Sequence, residues 1–259
     1  MRMGVHFLAG LITLVCRYRR LSREAQAEIA RRWAIGFLKT LNIELRVSGT
    51  IPLTFQHNTL LVCNHISWLD IIALTACTPP RFIAKQEIRH WPLIGWMCQL
   101  GGTLFIDRSN RRDASRVNRQ MAEALNSGDC LAVFPEGTTT SGNQLLPFKS
   151  SLFESAVLAH SRVQPVSIRY LDPQGLATDA PSYAGETTVM QSLCRLLQLK
   201  RIVVEVCYGA PLEAGNNLLQ TRYQLAEAAR AAVASGLRIS ADTPHTAEKT
   251  AACPPVATQ

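Results

Sequence analysis

The chain has 259 residues, enough for one large domain or two small ones, and 47% of them are hydrophobic against 18% charged. That balance excludes a disordered chain. The net charge of +8 points to a polyanionic partner, either nucleic acid or an anionic membrane surface.

The placement of charge separates those two. Residues 1–46 hold nine Lys and Arg against three Glu, so six of the eight net positive charges sit at one end. Met3 to Cys16 is an apolar run of fourteen residues followed by Arg-Tyr-Arg-Arg. As a helix it would reach about 21 Å, short of the roughly 30 Å hydrocarbon core of a bilayer. The arginines are the wrong context for signal-peptide cleavage. The expectation is a helix dipping into the membrane interface, with Tyr18 and the arginines at headgroup level; a buried helix is the alternative.

Ser22 is a candidate N-cap for a second helix to about Leu41. Its apolar residues Ile29, Trp33, Phe37 and Leu41 recur every fourth position, away from Arg23, Arg31, Arg32 and Lys39. That stripe suits a helix on anionic lipid and equally a helix packed on its own domain. Two such segments in succession favour the membrane. Nucleic-acid binding would want aromatics interleaved with the charges, or a known motif, and neither occurs.

From Ile43 the pattern alternates. Strands are expected at Ile43–Val47, Thr59–Cys63, Arg81–Ala84, Thr103–Ile106, Cys130–Phe134, Val163–Tyr170 and Ile202–Tyr208. Helices are expected at Asp70–Cys77, Trp91–Leu100, Asp113–Leu125, Ser151–Ala159 and Leu218–Ala234. Strands spaced by helices imply an α/β fold, a mixed but mostly parallel sheet flanked by helices. The polar segment Leu171–Ser192 reads as a surface excursion. Eight cysteines form no C-x-x-C pair and mostly lie inside apolar runs. They read as free thiols in a reducing, cytoplasmic setting, and not as a disulfide framework or a zinc site.

The chemistry concentrates where apolar strands end. Leu60 to Leu74 runs from a strand into a turn at Asn64 and His65, then into a helix carrying Asp70 in its first turn. A carboxylate folded back on the imidazole would fix its tautomer and leave a base near neutral pH. No nucleophilic serine or cysteine is needed if the substrate brings its own hydroxyl. The same two residues also suit a surface histidine and an aspartate at the positive end of a helix. Three further strand ends present Lys85, Asp107-Arg108 and Pro135-Glu136-Gly137-Thr138. In an open α/β sheet such loops gather along one edge, where ligands bind. Arg108 and Lys85 are candidates for an anionic headgroup, as a fork and a point charge; a solvated basic edge is the plain alternative. Glu136 is a candidate to accept a hydrogen bond from a substrate hydroxyl or to pair with Arg108, or else to hold its turn. Gly137 permits a close backbone approach, with Thr138 beside it.

Four ordered blocks then stand out: Asn64-His65-Ile66-Ser67-Trp68-Leu69-Asp70, Gly102-Thr103-Leu104-Phe105-Ile106-Asp107-Arg108, Phe134-Pro135-Glu136-Gly137-Thr138 and Val163-Gln164-Pro165-Val166. Together they resemble the glycerolipid acyltransferase family, over roughly residues 30–210. The resemblance implies transfer of a fatty acyl group from acyl-carrier protein or coenzyme A to the free hydroxyl of a lysolipid. Neither metal nor cofactor is implied beyond that thioester co-substrate. It assigns His65 and Asp70 as the catalytic pair, and Arg108 to the headgroup phosphate. Glu136 and Gly137 help hold the acceptor, with Lys85 and Thr138 completing the expected substrate contacts. It also implies a membrane-seating pair of helices, set here at 1–42, before an acyltransferase domain at 43–239. The last twenty residues, 240–259, lack periodicity, are rich in Ala, Thr and Pro and read as a disordered tail. The expected location is the cytoplasmic face of the inner membrane.

One departure bears on the acceptor. Many lysophosphatidate enzymes place Arg after Glu-Gly-Thr, whereas Thr139 and Thr140 follow here, and the run to Phe153 is similar to the lyso-ornithine-lipid branch. The expected acceptor is a lysolipid such as 1-acylglycerol 3-phosphate, with lyso-ornithine lipid as the alternative. A non-catalytic lipid-binding protein on the membrane surface, or a thioester hydrolase, would be a different class of function for the same residues.

Overall fold

The computed structural model describes residues 2–16, 18–50, 56–91, 94–106, 111–183, 188–199, 201–214 and 221–238. Arg108 and the tail 240–259 lie outside those residues. Two helices open the chain, α1 (Arg2–Cys16) and α2 (Arg23–Thr40). The alternating part follows as β1 (Ile43–Gly49), β2 (Thr59–Cys63), α3 (Leu69–Cys77), β3 (Arg81–Lys85), α4 (Ile94–Leu100), β4 (Leu104–Ile106), α5 (Arg111–Asn126) and β5 (Cys130–Val133). It ends with α6 (Glu154–Leu158), β6 (Arg162–Leu171), α7 (Val189–Gln198), β7 (Ile202–Tyr208), β8 (Leu212–Glu213) and α8 (Arg222–Leu237).

Among the described residues the strands form one sheet in the order β1-β7-β6-β2-β5-β3-β4, with β8 paired to β6. The β6–β7 and β6–β8 pairs are antiparallel and the other pairs parallel, so the sheet is mixed and mostly parallel as expected. The central strands β2 and β5 are buried along their whole length, which is why they read as unbroken apolar runs. Period-two alternation splits them between two layers. Leu61, Cys63, Cys130 and Ala132 face a layer formed with α2 and α3, while Leu60, Val62, Leu131 and Val133 face α5, α6 and α8.

Three differences have local causes. Helix α7 begins inside the segment expected to be a surface excursion, started by a capping box between Thr188 and Gln191. The same device, Thr221 with Gln224, starts α8 four residues later than expected. The helix expected at Trp91–Leu100 is described from Ile94 to Leu100, as α4, and a 3-10 turn, Gln86–His90, precedes it.

The membrane reading of α2 is corrected. Phe37 and Leu41 are buried, Trp33 stacks on Phe37 at 5.3 Å, and Phe37 meets Trp68 edge-on at 6.4 Å. The stripe packs inside the protein because α1 and α3 cover it: His6 Nε2 lies 2.8 Å from the Trp33 carbonyl, and Phe7 packs edge-on against the Trp33 ring. The uncovered apolar face belongs to α1 instead. Val5, Leu8, Ile12 and Val15 follow helical spacing and are 50–64% exposed. No helix among the described residues is long and apolar enough to cross a membrane.

Candidate active site

Strands β2, β5, β3 and β4 are neighbours and parallel, so their C-terminal ends line one edge. This topology brings the His65 loop, the Phe134–Gly137 turn and Lys85, the last residue of β3, to the same side of the sheet.

Where β2 stops, Asn64 prolongs its pairing with β6 by side-chain bonds. Its Nδ2 donates to the Ile168 carbonyl at 2.9 Å, and its Oδ1 accepts from the Ile168 N–H at 2.8 Å. The chain then turns at His65 under restraint from three sides. The His65 N–H donates to Glu136 Oε1 at 2.8 Å, the His65 carbonyl accepts from the Thr140 N–H at 2.9 Å, and the Ile66 carbonyl accepts from the Tyr183 N–H at 2.9 Å. These three bonds fix the backbone of the turn.

Asp70 is completely buried in the first turn of α3. Its Oδ2 accepts from His65 Nδ1 at 2.8 Å and from the N–H groups of Ile66 and Ser67 at 2.7 and 2.8 Å; Oδ1 accepts from the Tyr170 hydroxyl at 2.6 Å. A carboxylate ringed by donors has no proton of its own to offer, so the hydrogen of the pair sits on Nδ1. Nε2 is left with its lone pair, and it has no partner among the described residues. The ring stacks on Phe134 at 4.0 Å, and 20% of the side chain is open to solvent. Burial pushes the Tyr170 phenol well above its usual value, and the Asp70 charge adds to that, so it stays a hydrogen-bond donor.

Glu136 is held by the backbone on both sides of the turn. It is 4% exposed, and its two oxygens accept from the backbone N–H groups of His65 and Leu146, at 2.8 and 3.0 Å. Burial raises its carboxyl above the ordinary range, with those two amides working against the rise. It braces two loops against each other, the turn alternative that the sequence also offered. Gly137 has φ +75°, the left-handed conformation that glycine adopts freely, and Thr138 is exposed beside it. Thr139 turns its hydroxyl onto the Tyr183 carbonyl. Among the described residues no three His, Cys, Asp or Glu side chains gather as a metal site.

Asn64, Phe134, Thr140 and Tyr170 join the site without having been singled out by the sequence. Asn64 and Phe134 lay within the quoted blocks; Tyr170, a hundred residues from Asp70, left no local signal.

The model of the Acyltransferase family matches residues 44–169. The 1-acyl-sn-glycerol-3-phosphate acyltransferase of Neisseria gonorrhoeae is 40% identical over 209 residues, covering 79% of this chain and 80% of that one. The chain belongs to the glycerolipid acyltransferase family. It is therefore an O-acyltransferase. The lyso-ornithine lipid O-acyltransferase of Pseudomonas aeruginosa is nearly as similar to this acyltransferase, 39% identical over 184 residues, with 71% and 69% covered. The fold is also that of the crystal structure of the 1-acyl-sn-glycerophosphate (LPA) acyltransferase, PlsC, from Thermotoga maritima. That match has a TM-score of 0.68 at 21% identity and covers 91% of this chain and 93% of the other.

Proposed function

We propose that this acyltransferase moves a fatty acyl group from a thioester, carried by acyl-carrier protein or coenzyme A, to the free hydroxyl of a lysolipid such as 1-acylglycerol 3-phosphate or lyso-ornithine lipid. The observation that carries this is the dyad itself: Nδ1 of His65 held at 2.8 Å by a buried carboxylate, with Nε2 unpartnered on a partly open ring. His65 is the proposed general base. It takes the hydroxyl proton as the oxygen attacks the thioester carbonyl; the C–O bond forms, the C–S bond breaks, and the proton passes to the departing thiolate. Asp70 is the positioning partner and stabilises the imidazolium between those two events. No acyl-enzyme is required. Lys85 and Arg108 are proposed for the headgroup, from their places after β3 and β4. The exposed stripe of α1 is proposed as the seat on the cytoplasmic leaflet, its apolar side chains entering the interface beside the basic residues that follow.

The test incubates purified protein with acyl thioester and a panel of lysolipids and reads products by mass. Ester formation is expected with wild type, and His65→Ala should lower it about 10²- to 10⁴-fold. Lysolipid binding without product would replace the proposal by a lipid-binding protein, and free fatty acid formed without acceptor by a hydrolase. For the membrane seat, Cys16 and Cys194 are both exposed thiols. Anionic vesicles should shield Cys16, at the end of α1, from a polar alkylating reagent. Equal labelling with and without vesicles would end that part of the proposal.

A further inference from the structure

Lys149 reaches the site from a distant loop. Its backbone N–H donates to the Pro135 carbonyl at 2.9 Å, which fixes its Cα against the Phe134–Gly137 turn. From there the side chain lies across Gly137. A methyl group added to that glycine would fall on the ammonium and come within 2.8 Å of Cε. Gly137 thus meets two demands, a positive φ and room for a lysine laid over its backbone.

The turn beneath that ammonium is the one that supports the base. It is closed by a bond from the Gly137 N–H to the Phe134 carbonyl at 3.1 Å, the Phe134 ring carries the imidazole, and Glu136 holds the His65 N–H. The charge itself is uncommitted. Lys149 is exposed, and among the described residues no carboxylate pairs with it. Glu136, the acid nearest along the turn, gives both oxygens to backbone amides. A cation anchored by its own backbone, over the turn that carries the base and with no acid partner among the described residues, is a seat for an anion that the ligand brings.

We propose that Lys149 binds the anionic group of the acceptor headgroup, a phosphate monoester or a carboxylate, and so governs which lysolipids are acylated. This rests on the acyl-transfer reading above and names a specificity residue for it.

The experiment compares Lys149→Met and Lys149→Arg with wild type on two acceptors at saturating thioester. One is the anionic lysolipid that wild type turns over best. The other is its counterpart made neutral at that group, 1-acylglycerol for a phosphate or the methyl ester for a carboxylate. Loss of one charge-assisted contact predicts a KM for the anionic acceptor raised roughly tenfold or more, with kcat held within about twofold. Lys149→Arg should restore most of the KM, and the neutral acceptor should not distinguish the variants. A kcat loss shared by both acceptors would overturn the proposal, since it assigns the ammonium to the reacting centre or to the fold, and the melting temperature of each variant tells those two apart. Unchanged KM values would overturn it as well. Wild type that esterifies no lysolipid at all would remove the acyl-transfer reading first, a failure distinct from an active wild type matched by Lys149→Met.

Discussion

Among the described residues two aspartates are buried, near opposite ends of the parallel strands, and they meet different partners. Asp70 lies just past the C-terminal end of β2, fully buried, with an imidazole, two backbone amides and a phenol around it. Asp129 lies just before β5 at 2% exposure and pairs with two guanidinium groups, Arg23 of α2 and Arg81 of β3. Arg81 also donates to the Gly102 carbonyl at 2.7 Å. A guanidinium never releases its proton, so Asp129 can only tie α2 and β3 to the entrance of β5. An imidazole gains and loses a proton near neutrality, so the same carboxylate chemistry at Asp70 can serve a reaction. The identity of the partner, and not burial, decides whether a buried carboxylate can do more than brace.

The comparison breaks or holds on a pair of substitutions. Asp70→Asn is expected to cost about 10²- to 10⁴-fold in transfer, because an amide cannot accept from Nδ1–H and both backbone donors as the carboxylate does. Asp129→Asn is expected to leave kcat per folded molecule near wild type while lowering stability by up to about 3 kcal/mol, less than a fully buried pair because the Arg23 guanidinium is half exposed. Kinetics at low temperature and urea unfolding of both variants read this directly. If Asp129→Asn stayed folded yet lost turnover, the division of labour would be wrong.

A finer cut removes one donor at a time. Tyr170→Phe deletes the hydroxyl on Oδ1 and leaves a buried carboxylate oxygen short of a partner, at about 1–3 kcal/mol of stability. Its effect on transfer should be much smaller than that of Asp70→Asn, since the Nδ1 bond is retained. Equal losses in the two variants would make the phenol, and not the imidazole, the main customer of Asp70.

The smallest effect concerns the thiols. Burial pushes Cys77 and Cys130 up to about 12, so at pH 8 only about one in ten thousand of each is thiolate. Iodoacetamide should therefore modify Cys16 and Cys194 in the native protein and spare Cys130 and Cys77, with mass spectrometry locating the label. Rapid labelling of Cys130 would mean that the central sheet opens more readily than its packing implies.

Much of the site was legible because it is local. His65 and Asp70 are five residues apart across a strand-to-helix turn, so the chain's own geometry lets the two side chains meet. The central strands were legible for a related reason: β2 and β5 are covered on both faces and must be apolar throughout. The bracing bonds of Glu136 were not legible, because nothing in a sequence tells which backbone amides a carboxylate will accept from. The stripe of α2 was misread because an apolar face has the same spacing whether lipid or protein covers it. Thr188 and Gln191 spell a capping box for α7, but the polar residues before it carry the pattern of a loop.

The amino-acid order alone determined an α/β alternation, a basic and apolar beginning, and a histidine–aspartate pair poised at a strand end, because periodicity and short-range spacing are written along the chain. Tertiary structure decided which apolar face stayed bare, that Asp129 met the guanidinium groups of Arg23 and Arg81, and that the Tyr170 hydroxyl reached Asp70. Those outcomes depend on contacts between segments tens of residues apart, whose free energy exists only once the sheet has brought them together.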